Sequence, residues 1–425
     1  MIKRLEVKGY KSLRDMEVRF EPLNIIFGPN AAGKSNLLDA LNLISRLVTS
    51  KNLKEAFEQH RGLPLESFYY GQKGYEKLLQ EETASAEFEV DVELSDSTMA
   101  EVEKLIAEKR KGMGAEEKTQ KRLAEKHLRY SVTIQILPKS GYLRVINESL
   151  KALRQDGTVK ARKAFVEKEI SSGKERLHLR MEGQAHPVYY DLGLDHTIIS
   201  TSLYEPHYPH IAAFRHEIST WRFYYFEPRN LMREDVPVAQ IDALGPRGEN
   251  LAAFLNAIRA SDGKKQMEAF NLSLKHLLPS IDLVDVEMTK EGLLSLKVIE
   301  KGLPYSSRVI SEGTLRILGL LAAFHPASPS TLIGCEEPEN GVHPTRLKLV
   351  ADLFKNTQKF YHKQIIVNTH SAIFPTYFED RFLFVCRKEG SDTQIVPFKT
   401  AGSLFKKEDI SKALEERILR GDYGG

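Results

Sequence analysis

Residues 23–35 read LNIIFGPNAAGKS, and this stretch decides the fold. Its first part, Leu23–Phe27, is a short apolar run of the kind that forms a buried strand. Its second part, from Gly28 to Ser35, has the spacing G-x-x-x-x-G-K-S. Residues 36–48 then carry Leu and Ile at helical spacing. A strand, a glycine turn and a helix in this order predict a loop that binds phosphate.

The glycine turn indicates which residues would hold a nucleotide. Glycine lets the backbone turn tightly, so that successive amide groups and the start of the helix face phosphate oxygens. Lys34 would neutralise the β- and γ-phosphates, and the Ser35 hydroxyl would bind Mg²⁺. The predicted nucleotide-binding residues of this segment are Gly28, Asn30, Gly33, Lys34, Ser35 and Asn36. The alternative interpretation is a chance glycine turn before a helix.

Acidic residues follow a second apolar run. Residues 332–335 read LIGC, and residues 336–339 read EEPE. Open α/β sheets bind their ligands at the carboxyl ends of strands. Glu336 would therefore bind Mg²⁺, directly or through water, and Glu337 would polarise the attacking water. Alternatively, these acids form a turn that caps the strand before the proline.

A histidine follows a third apolar run, in the sequence QIIVNTHS at residues 364–371. A side chain just past the end of a strand can reach the γ-phosphate or the attacking water from the side opposite Lys34. His370 therefore joins Glu337 and Lys34 in the predicted catalytic set. A histidine with a purely structural hydrogen bond is the alternative.

The tetrapeptide SEGT at residues 311–314 precedes a run, 315–324, that predicts a helix with Ser311 near its N-cap. The start of a helix attracts anions. Because one chain rarely needs two such sites for one nucleotide, we expect Ser311 and Gly313 to contact a nucleotide held by another copy. This implies a homodimer or a higher homo-oligomer. The alternative is an ordinary capped helix.

Together, these motifs resemble those of ABC-type ATPases of the SMC/RecF group, and most closely those of AAA-type ATPases related to the overcoming-lysogenization-defect (OLD) family. The similarity covers residues 1–48 and 220–386. The resemblance implies an α/β P-loop NTPase of ABC/SMC-RecF type with a mixed sheet, which uses ATP and Mg²⁺. It further implies that two subunits enclose two ATP molecules, close on binding and open after hydrolysis.

The sequence departs from this family pattern at three points. Glu336 stands where many ABC ATPases have Asp. The signature around Ser311 lacks the second glycine and the glutamine of transporter ATPases, which argues against a transporter. Gln72 is the candidate for the glutamine that usually links the nucleotide to the lobe interface, and the alternative is a glutamine in a surface turn.

The composition limits the class of protein. With 425 residues, of which 41% are hydrophobic, the chain can form about two to three domains with sizeable cores. The net charge of +3 excludes a uniformly basic protein. The sequence shows neither a signal peptide nor an apolar run of about 18 residues, so we expect a cytoplasmic protein without a membrane segment. Cys335 and Cys386 lie in apolar runs and are predicted to be buried thiols in a reducing compartment.

The middle of the chain is the basic part. Residues 101–130 hold nine Lys/Arg and six Asp/Glu, and residues 151–180 hold nine and four. Residues 101–110 and 118–129 predict an inserted helical hairpin, and residues 131–137 and 142–146 alternate as strands of an α+β region. The residues that could follow a nucleic-acid backbone are Lys109, Arg110, Lys111, Arg162 and Lys163. The alternative is a solvated charged face.

We expect the ATPase lobe to be split into residues 1–95, with the P-loop, and residues 191–425, with the signature, acids and histidine. Residues 96–190 would form the inserted basic region. The 55 residues after His370 are too few for an appended OLD-type nuclease domain, so any nuclease is expected to be a separate effector protein. Two functions remain open: an ATPase that drives a nucleic-acid-linked or anti-phage defence process, and an ATP-switched scaffold with slow turnover.

Overall fold

The computed structural model describes residues 1–58, 60–111, 123–171, 173–182, 187–261 and 264–400. The chain forms two compact units, and each is assembled from separate stretches of sequence. The first unit comprises Met1–Glu21, Ala31–Trp221 and Cys386–Ile395. The second comprises Pro22–Asn30, Arg222–Val385 and the residues from Val396 onward. The predicted segments 1–95, 96–190 and 191–425 stay a prediction, and the middle one belongs to the first unit as far as it is described.

Strands and helices alternate irregularly along the chain. The strands are β1 (Ile2–Tyr10), β2 (Leu13–Arg19), β3 (Leu23–Phe27), β4 (Ala84–Glu93), β5 (His127–Leu137), β6 (Tyr142–Ala152), β7 (Val166–Ser171), β8 (Lys174–Arg180), β9 (Pro187–Asp191), β10 (Arg222–Tyr224), β11 (Val236–Pro237), β12 (Ile281–Met288), β13 (Leu293–Glu300), β14 (Leu303–Ser306), β15 (Leu332–Glu336), β16 (Gln364–Thr369), β17 (Leu383–Glu389) and β18 (Asp392–Pro397). The α-helices are α1 (Lys34–Thr49), α2 (Leu53–Glu58), α3 (Tyr75–Gln80), α4 (Asp96–Lys111), α5 (Pro209–Ser219), α6 (Leu251–Ser261), α7 (Lys264–Leu277), α8 (Glu312–Ala323) and α9 (Leu347–Tyr361).

The first unit is built on an eight-stranded antiparallel sheet with the strand order β2-β1-β4-β5-β6-β7-β8-β9. Buried side chains alternate along its strands, as the period of two requires. Phe88 and Val90 of β4 pair with Val132 and Tyr130 of β5, and all four are buried. The strands predicted at residues 131–137 and 142–146 are thus confirmed as parts of β5 and β6.

The predicted helical hairpin is confirmed only in its first helix, α4. Residues 112–122, which hold the predicted turn and the first five residues of the second helix, lie outside the described residues, and residues 123–126 form no regular secondary structure. Residues 127–129 were predicted to end that helix but instead begin β5. Arg129 pairs with Asp91 of β4, and its Nε lies 2.6 Å from an Asp91 carboxylate oxygen. Pairing with a strand far away in sequence overrides the helical composition of this segment.

The predicted strand motifs lie in a parallel sheet of the second unit. Its strand order is β10-β15-β16-β3-β17, and β17 contributes Leu383–Val385 to this unit. Because the strands are parallel and in register, their carboxyl ends meet at one edge. There, Glu336 of β15 pairs with Asn368 of β16, and Thr369 of β16 pairs with Phe27 of β3. The predicted α/β class is confirmed, as are the three apolar runs as strands.

The rest of the second unit contains a second sheet and the helices that pack around α8. A separate four-stranded antiparallel sheet consists of β11, β12, β13 and β14. Helices α6 and α7 pack against it, and α6 and α7 also contact α8. Phe324, just after α8, stacks on Phe354 of α9 with 4.5 Å between ring centroids, and both rings are buried. This core fixes α8 and therefore the position of its N-terminus.

The two cysteines are buried free thiols, as predicted. Burial raises the pKa of the Cys386 thiol to about 11 and raises that of Cys335 further. Both therefore stay protonated near neutral pH and act as small core residues. In the part of the chain that the structure describes, no helix is long and apolar enough to cross a membrane.

Among the described residues of the first unit, one buried carboxyl group has no cationic partner in contact. Glu148 of β6 is fully buried and accepts hydrogen bonds from the Ile198 amide at 2.6 Å, the Ile199 amide at 3.3 Å and the Tyr130 hydroxyl at 3.1 Å. These donors favour the carboxylate, but burial prevails and raises its pKa from 4.5 to about 7.

Replacing Glu148 should change how stability depends on pH. Because the folded pKa lies above the unfolded value, wild-type stability falls as pH rises from about 4.5 to about 7. The loss is at most about 3 kcal/mol. Glu148→Gln keeps an oxygen acceptor for one of the two amides but cannot ionise, so this loss should disappear. Urea unfolding at pH 5 and pH 8 measures it, and an equal pH dependence in both proteins would contradict the prediction.

Candidate active site

The P-loop has the backbone of an anion cradle. Helix α1 begins at Lys34, and its N-cap residue Gly33 has the left-handed conformation, with φ of 98°. Among the described residues, no side chain caps α1, and its first turn contains no acidic residue. The amides at this end of a 16-residue helix are therefore not claimed by a side-chain cap and fit a phosphate group. Lys34 is buried, which strengthens its field in this region.

The chain passes from the second unit into the first within the P-loop sequence. Gly28 and Asn30 belong to the second unit, directly after β3, whereas Gly33, Lys34 and Ser35 belong to the first. Glycine is required at position 33, because an added Cβ would lie 1.9 Å from the Thr393 Oγ1 of the same unit. Any other residue at this position would also have to adopt the positive φ of Gly33, which is unfavourable for residues with a Cβ.

The acids and the histidine meet at the edge of the parallel sheet. Glu336 ends β15 and is buried. The Glu337 amide donates to the Asn368 carbonyl of β16 at 2.8 Å. One carboxylate oxygen of Glu337 lies 3.0 Å from the His370 Nδ1, and the other accepts from the Asn340 side chain. The structure therefore brings Glu337 and His370 together, although 32 residues separate them in sequence.

Glu337 is held in an unusual conformation. Its φ is 47°, in the left-handed region that a non-glycine residue rarely adopts. Such a conformation persists only where surrounding contacts determine it, and it occurs often at functional sites. The contacts with Asn368, His370 and Asn340 supply that restraint. The Glu337 side chain is 37% exposed, so water can reach its carboxylate.

Sequence reasoning assigned no role to Glu339. Its side chain is buried and accepts from the Thr369 hydroxyl and from the Ser371 amide, the latter at 3.4 Å. Its Oε2 has no hydrogen-bond partner among the described residues. Burial raises its pKa, and the hydrogen bond from Thr369 opposes that rise. Glu339 thereby connects the loop after β15 to the loop that carries His370. Its position in the EEPE motif is the sequence feature that could have indicated this role.

Arg316 is a second residue without a predicted role. It lies on α8 in the second unit, and its side chain donates to the Phe226 carbonyl at 3.4 Å. Burial lowers its pKa, and the charges of Glu337 and Glu339 oppose that shift. Arg316 therefore adds a positive charge in the electrostatic surroundings of the two acids. The only sequence feature that could have indicated a role for Arg316 is that it is a charged residue within an apolar helix.

The predicted signature residues begin helix α8. Ser311 is the N-cap, and its hydroxyl accepts from the Thr314 amide at 3.2 Å. The Ser311 side chain is exposed. Gly313 lies against the turn after the acids, where an added Cβ would be 2.2 Å from the Gly341 carbonyl oxygen. The capped helix is confirmed, and its start is exposed.

Gln72 lies on the wall of a cavity in the first unit. It is exposed and stands in a short 3₁₀ turn, Gly71–Lys73. The cavity has a volume of about 370 Å³ and is lined by Arg14, Tyr69, Tyr70, Gln72, Lys73, Leu78, Glu81, Ser391 and Asp392. Its walls adjoin residues that contact the P-loop, because Asp392 directly precedes Thr393. A surface turn and a ligand contact are both compatible with this position.

Two residues of the predicted basic face, Lys109 and Arg162, already have acidic partners. Lys109 pairs with Glu205. Arg162 lies 3.5 Å from both Glu125 and Glu182, and its guanidinium stacks over the Phe165 ring at 5.1 Å. These contacts favour the alternative interpretation, an ion-paired and solvated face, over a free phosphate-binding stripe.

Two protein-family models match different parts of the chain. Residues 1–181 match a family described as "AAA ATPase domain", and residues 204–374 match one described as "AAA domain, putative AbiEii toxin, Type IV TA system". Each match covers less than half of the chain. Both are AAA ATPase domains, and together they contain the P-loop, the signature, the acids and the histidine. They support an AAA-type ATPase.

Two curated relatives and one solved structure complete the comparison. An ATP/GTP phosphatase of Helicobacter pylori is 22% identical over 395 residues, which cover 88% of this chain and 86% of that protein. An OLD nuclease of Thermus scotoductus is 46% identical over only 44 residues, 10% of this chain and 8% of that protein. An SMC head, solved bound to the C-winged helix domain of ScpA, matches with a TM-score of 0.52 and 14% identity over 93% of this chain and 97% of its own. The fold is therefore that of an SMC-like P-loop NTPase, whereas the relation to the OLD family is weak.

Proposed function

We propose that this protein hydrolyses ATP at a composite site, formed by the P-loop and acids of one copy and the Ser311–Gly313 segment of another. The observation that carries the proposal is the contact between Glu337 and His370 at the carboxyl edge of the parallel sheet. That edge includes β3, the strand that leads directly into the P-loop. Ligand chemistry in open α/β sheets takes place at such an edge.

Different residues have different proposed roles in binding the nucleotide and Mg²⁺. The amides at the start of α1 and Lys34 bind and neutralise phosphate charge. Ser35 and Glu336 offer the oxygen ligands that Mg²⁺ prefers. Bound there, Mg²⁺ would neutralise charge on the phosphates. Asn30 and Asn36 complete the nucleotide-binding set.

Glu337 is the proposed residue for orienting the attacking water. Its carboxylate is exposed enough to meet water, while Asn340 and His370 fix its direction. His370 contacts Glu337 through its Nδ1 and would face the γ-phosphate with its other ring nitrogen, Nε2. Orientation of this kind is the main contribution that a protein can make to phosphoryl transfer.

A second copy enters the proposal because the start of α8 is exposed and offers a place for its nucleotide. Ser311 and Gly313 present amide groups at a helix N-terminus whose only side-chain cap among the described residues is Ser311 itself. Closure of two copies around ATP would let binding and hydrolysis control assembly. That step would license a separate effector, such as a nuclease, in a nucleic-acid-linked or defence process. A scaffold with slow turnover is the second candidate.

Mixing two inactive variants tests the composite site. Lys34→Met should weaken ATP binding about 100-fold, and Ser311→Glu should repel the nucleotide of the partner copy. In an equal mixture, half of the dimers would pair one of each, and each such dimer keeps one intact site. The mixture should therefore regain about one quarter of wild-type turnover, measured as steady-state phosphate release.

The control for this experiment is Ser140→Glu, which adds the same charge at another exposed serine, in the turn between β5 and β6. It should retain full activity alone. If the mixture of Lys34→Met and Ser311→Glu stays inactive while wild-type protein turns over, each site lies within one copy and the composite arrangement is wrong.

A further inference from the structure

We propose that Thr393 is a positioning residue for the P-loop, which it orients through the carbonyl of Ala32. The proposal rests on the proposed function, because it assigns a role toward bound phosphate. Thr393 lies on β18 in the first unit and is buried. Its hydroxyl donates to the Ala32 carbonyl oxygen at 2.8 Å, across 361 residues of sequence.

Three side chains form a hydrogen-bonded series that we call the hydroxyl brace: Asn36, Ser12 and Thr393. The Asn36 amide donates to the Ser12 Oγ at 2.6 Å. The Ser12 Oγ lies 2.6 Å from the Thr393 Oγ1. Because the single Thr393 hydroxyl proton is directed at Ala32, Thr393 must accept from Ser12. Every hydroxyl in the brace thus donates once and accepts once, in one direction, which strengthens each hydrogen bond.

The backbone supports the same arrangement. The Thr393 amide donates to the Ser12 carbonyl at 2.9 Å. Ser12 follows the turn residue Lys11, whose ammonium forms a 2.6 Å ion pair with Asp39 of α1. The Cys386 thiol lies 3.5 Å from the Ala32 carbonyl oxygen as a second, weak donor. The turn between β1 and β2 and the strands β17 and β18 therefore all hold the same part of the P-loop.

The hydrogen bond to the Ala32 carbonyl also fixes the direction of the next backbone N–H, which belongs to the predicted phosphate site. The Ala32 carbonyl and the Gly33 N–H belong to one planar trans peptide, and the two groups point in opposite directions. A hydroxyl that holds the carbonyl toward β18 therefore aims the Gly33 N–H away from β18. Thr393 also lies close to Gly33 itself, because a Cβ built on Gly33 would be 1.9 Å from the Thr393 Oγ1.

Packing alone does not account for a threonine at position 393, because a valine would fill the same buried space. Burying a hydroxyl costs free energy unless it forms hydrogen bonds, and valine carries no such cost. Thr393 makes two, and one of them ends on the loop that is predicted to bind phosphate. An amide that is already aimed gives tighter binding than one that must be reoriented when the ligand arrives.

The test compares Thr393→Val, which removes the hydroxyl at constant shape, with Thr393→Ser, which keeps it. The affinity for Mg·ATP is measured with a fluorescent ATP analogue, and the melting temperature of the nucleotide-free protein is measured alongside. We expect Thr393→Val to bind about tenfold more weakly, since one hydrogen bond to a charged group is weakened. Thr393→Ser should bind like the wild type, and both variants should melt close to it.

The ATP affinities of these variants and of the wild type test the positioning role of Thr393 directly. Equal affinity of Thr393→Val and wild type would overturn the positioning role and leave the proposed function intact. A wild type that binds no ATP would overturn both. If Thr393→Val does not fold, Thr393→Ala replaces it, because it also removes the hydroxyl that donates to the Ala32 carbonyl. Unchanged ATP affinity in Thr393→Ala would then overturn the proposal in the same way.

Discussion

Glu337→Gln should bind ATP as tightly as the wild type and hydrolyse it about 1000-fold more slowly. Glutamine has the shape of glutamate and can still meet His370 and Asn340, but it can neither take up a proton nor orient water with a full negative charge. Binding should persist because the P-loop amides and Lys34 are unchanged. Single-turnover hydrolysis and equilibrium ATP binding separate the two effects.

The same variant reports on assembly. If ATP closes two copies and hydrolysis opens them, Glu337→Gln should accumulate as an ATP-bound dimer or larger species, visible by size-exclusion chromatography with light scattering. Glu291→Gln, at an exposed turn between β12 and β13, is the matched control and should behave like the wild type. Turnover in Glu337→Gln close to that of the wild type would assign water activation to another residue.

Adding duplex DNA to these assays separates the two candidate functions. Stimulated turnover in the wild type, lost in Glu337→Gln, would support a nucleic-acid-linked machine. ATP-dependent assembly that ignores DNA, with negligible turnover, would favour the scaffold. The exposed Lys163 is a better probe of nucleic-acid contact than Arg162, because Arg162 already pairs with Glu125 and Glu182.

Lys34→Met should weaken ATP binding about 100-fold, the second large effect that we expect. Charge-assisted hydrogen bonds to phosphate are the strong ones, and their loss in a water-poor site costs about 3 kcal/mol. Methionine keeps the length of the apolar stem of this buried side chain, so the fold should be retained. Isothermal titration with Mg·ATP measures the affinity.

Lys51→Met supplies the control, because Lys51 is an exposed lysine just beyond the end of α1. It should bind ATP normally. Normal affinity in Lys34→Met as well would show that residues 28–35 do not hold the phosphates, and the nucleotide site would have to be sought elsewhere.

The local parts of the site could be predicted from the sequence. The strand Leu23–Phe27, the helix after the glycine turn and the Ser311 cap were predicted from neighbouring residues alone, and the structure confirms them. The start of β5 was predicted wrongly, because residues 127–129 take their conformation from β4. The basic face was also left open, since only the fold could show that Arg162 has acidic partners.

What the sequence determined by itself is what depends on nearby residues. Spacing and apolar runs determined the P-loop, the strands that end in acids and histidine, and the α/β class, because local propensity and periodicity act over a few residues. What only the tertiary structure decided depends on strand order and register. The pairing of β15 with β16 brought Glu337 to His370, and β18 brought Thr393 to Ala32. Such contacts join residues far apart in sequence, and no local pattern encodes which strands become neighbours.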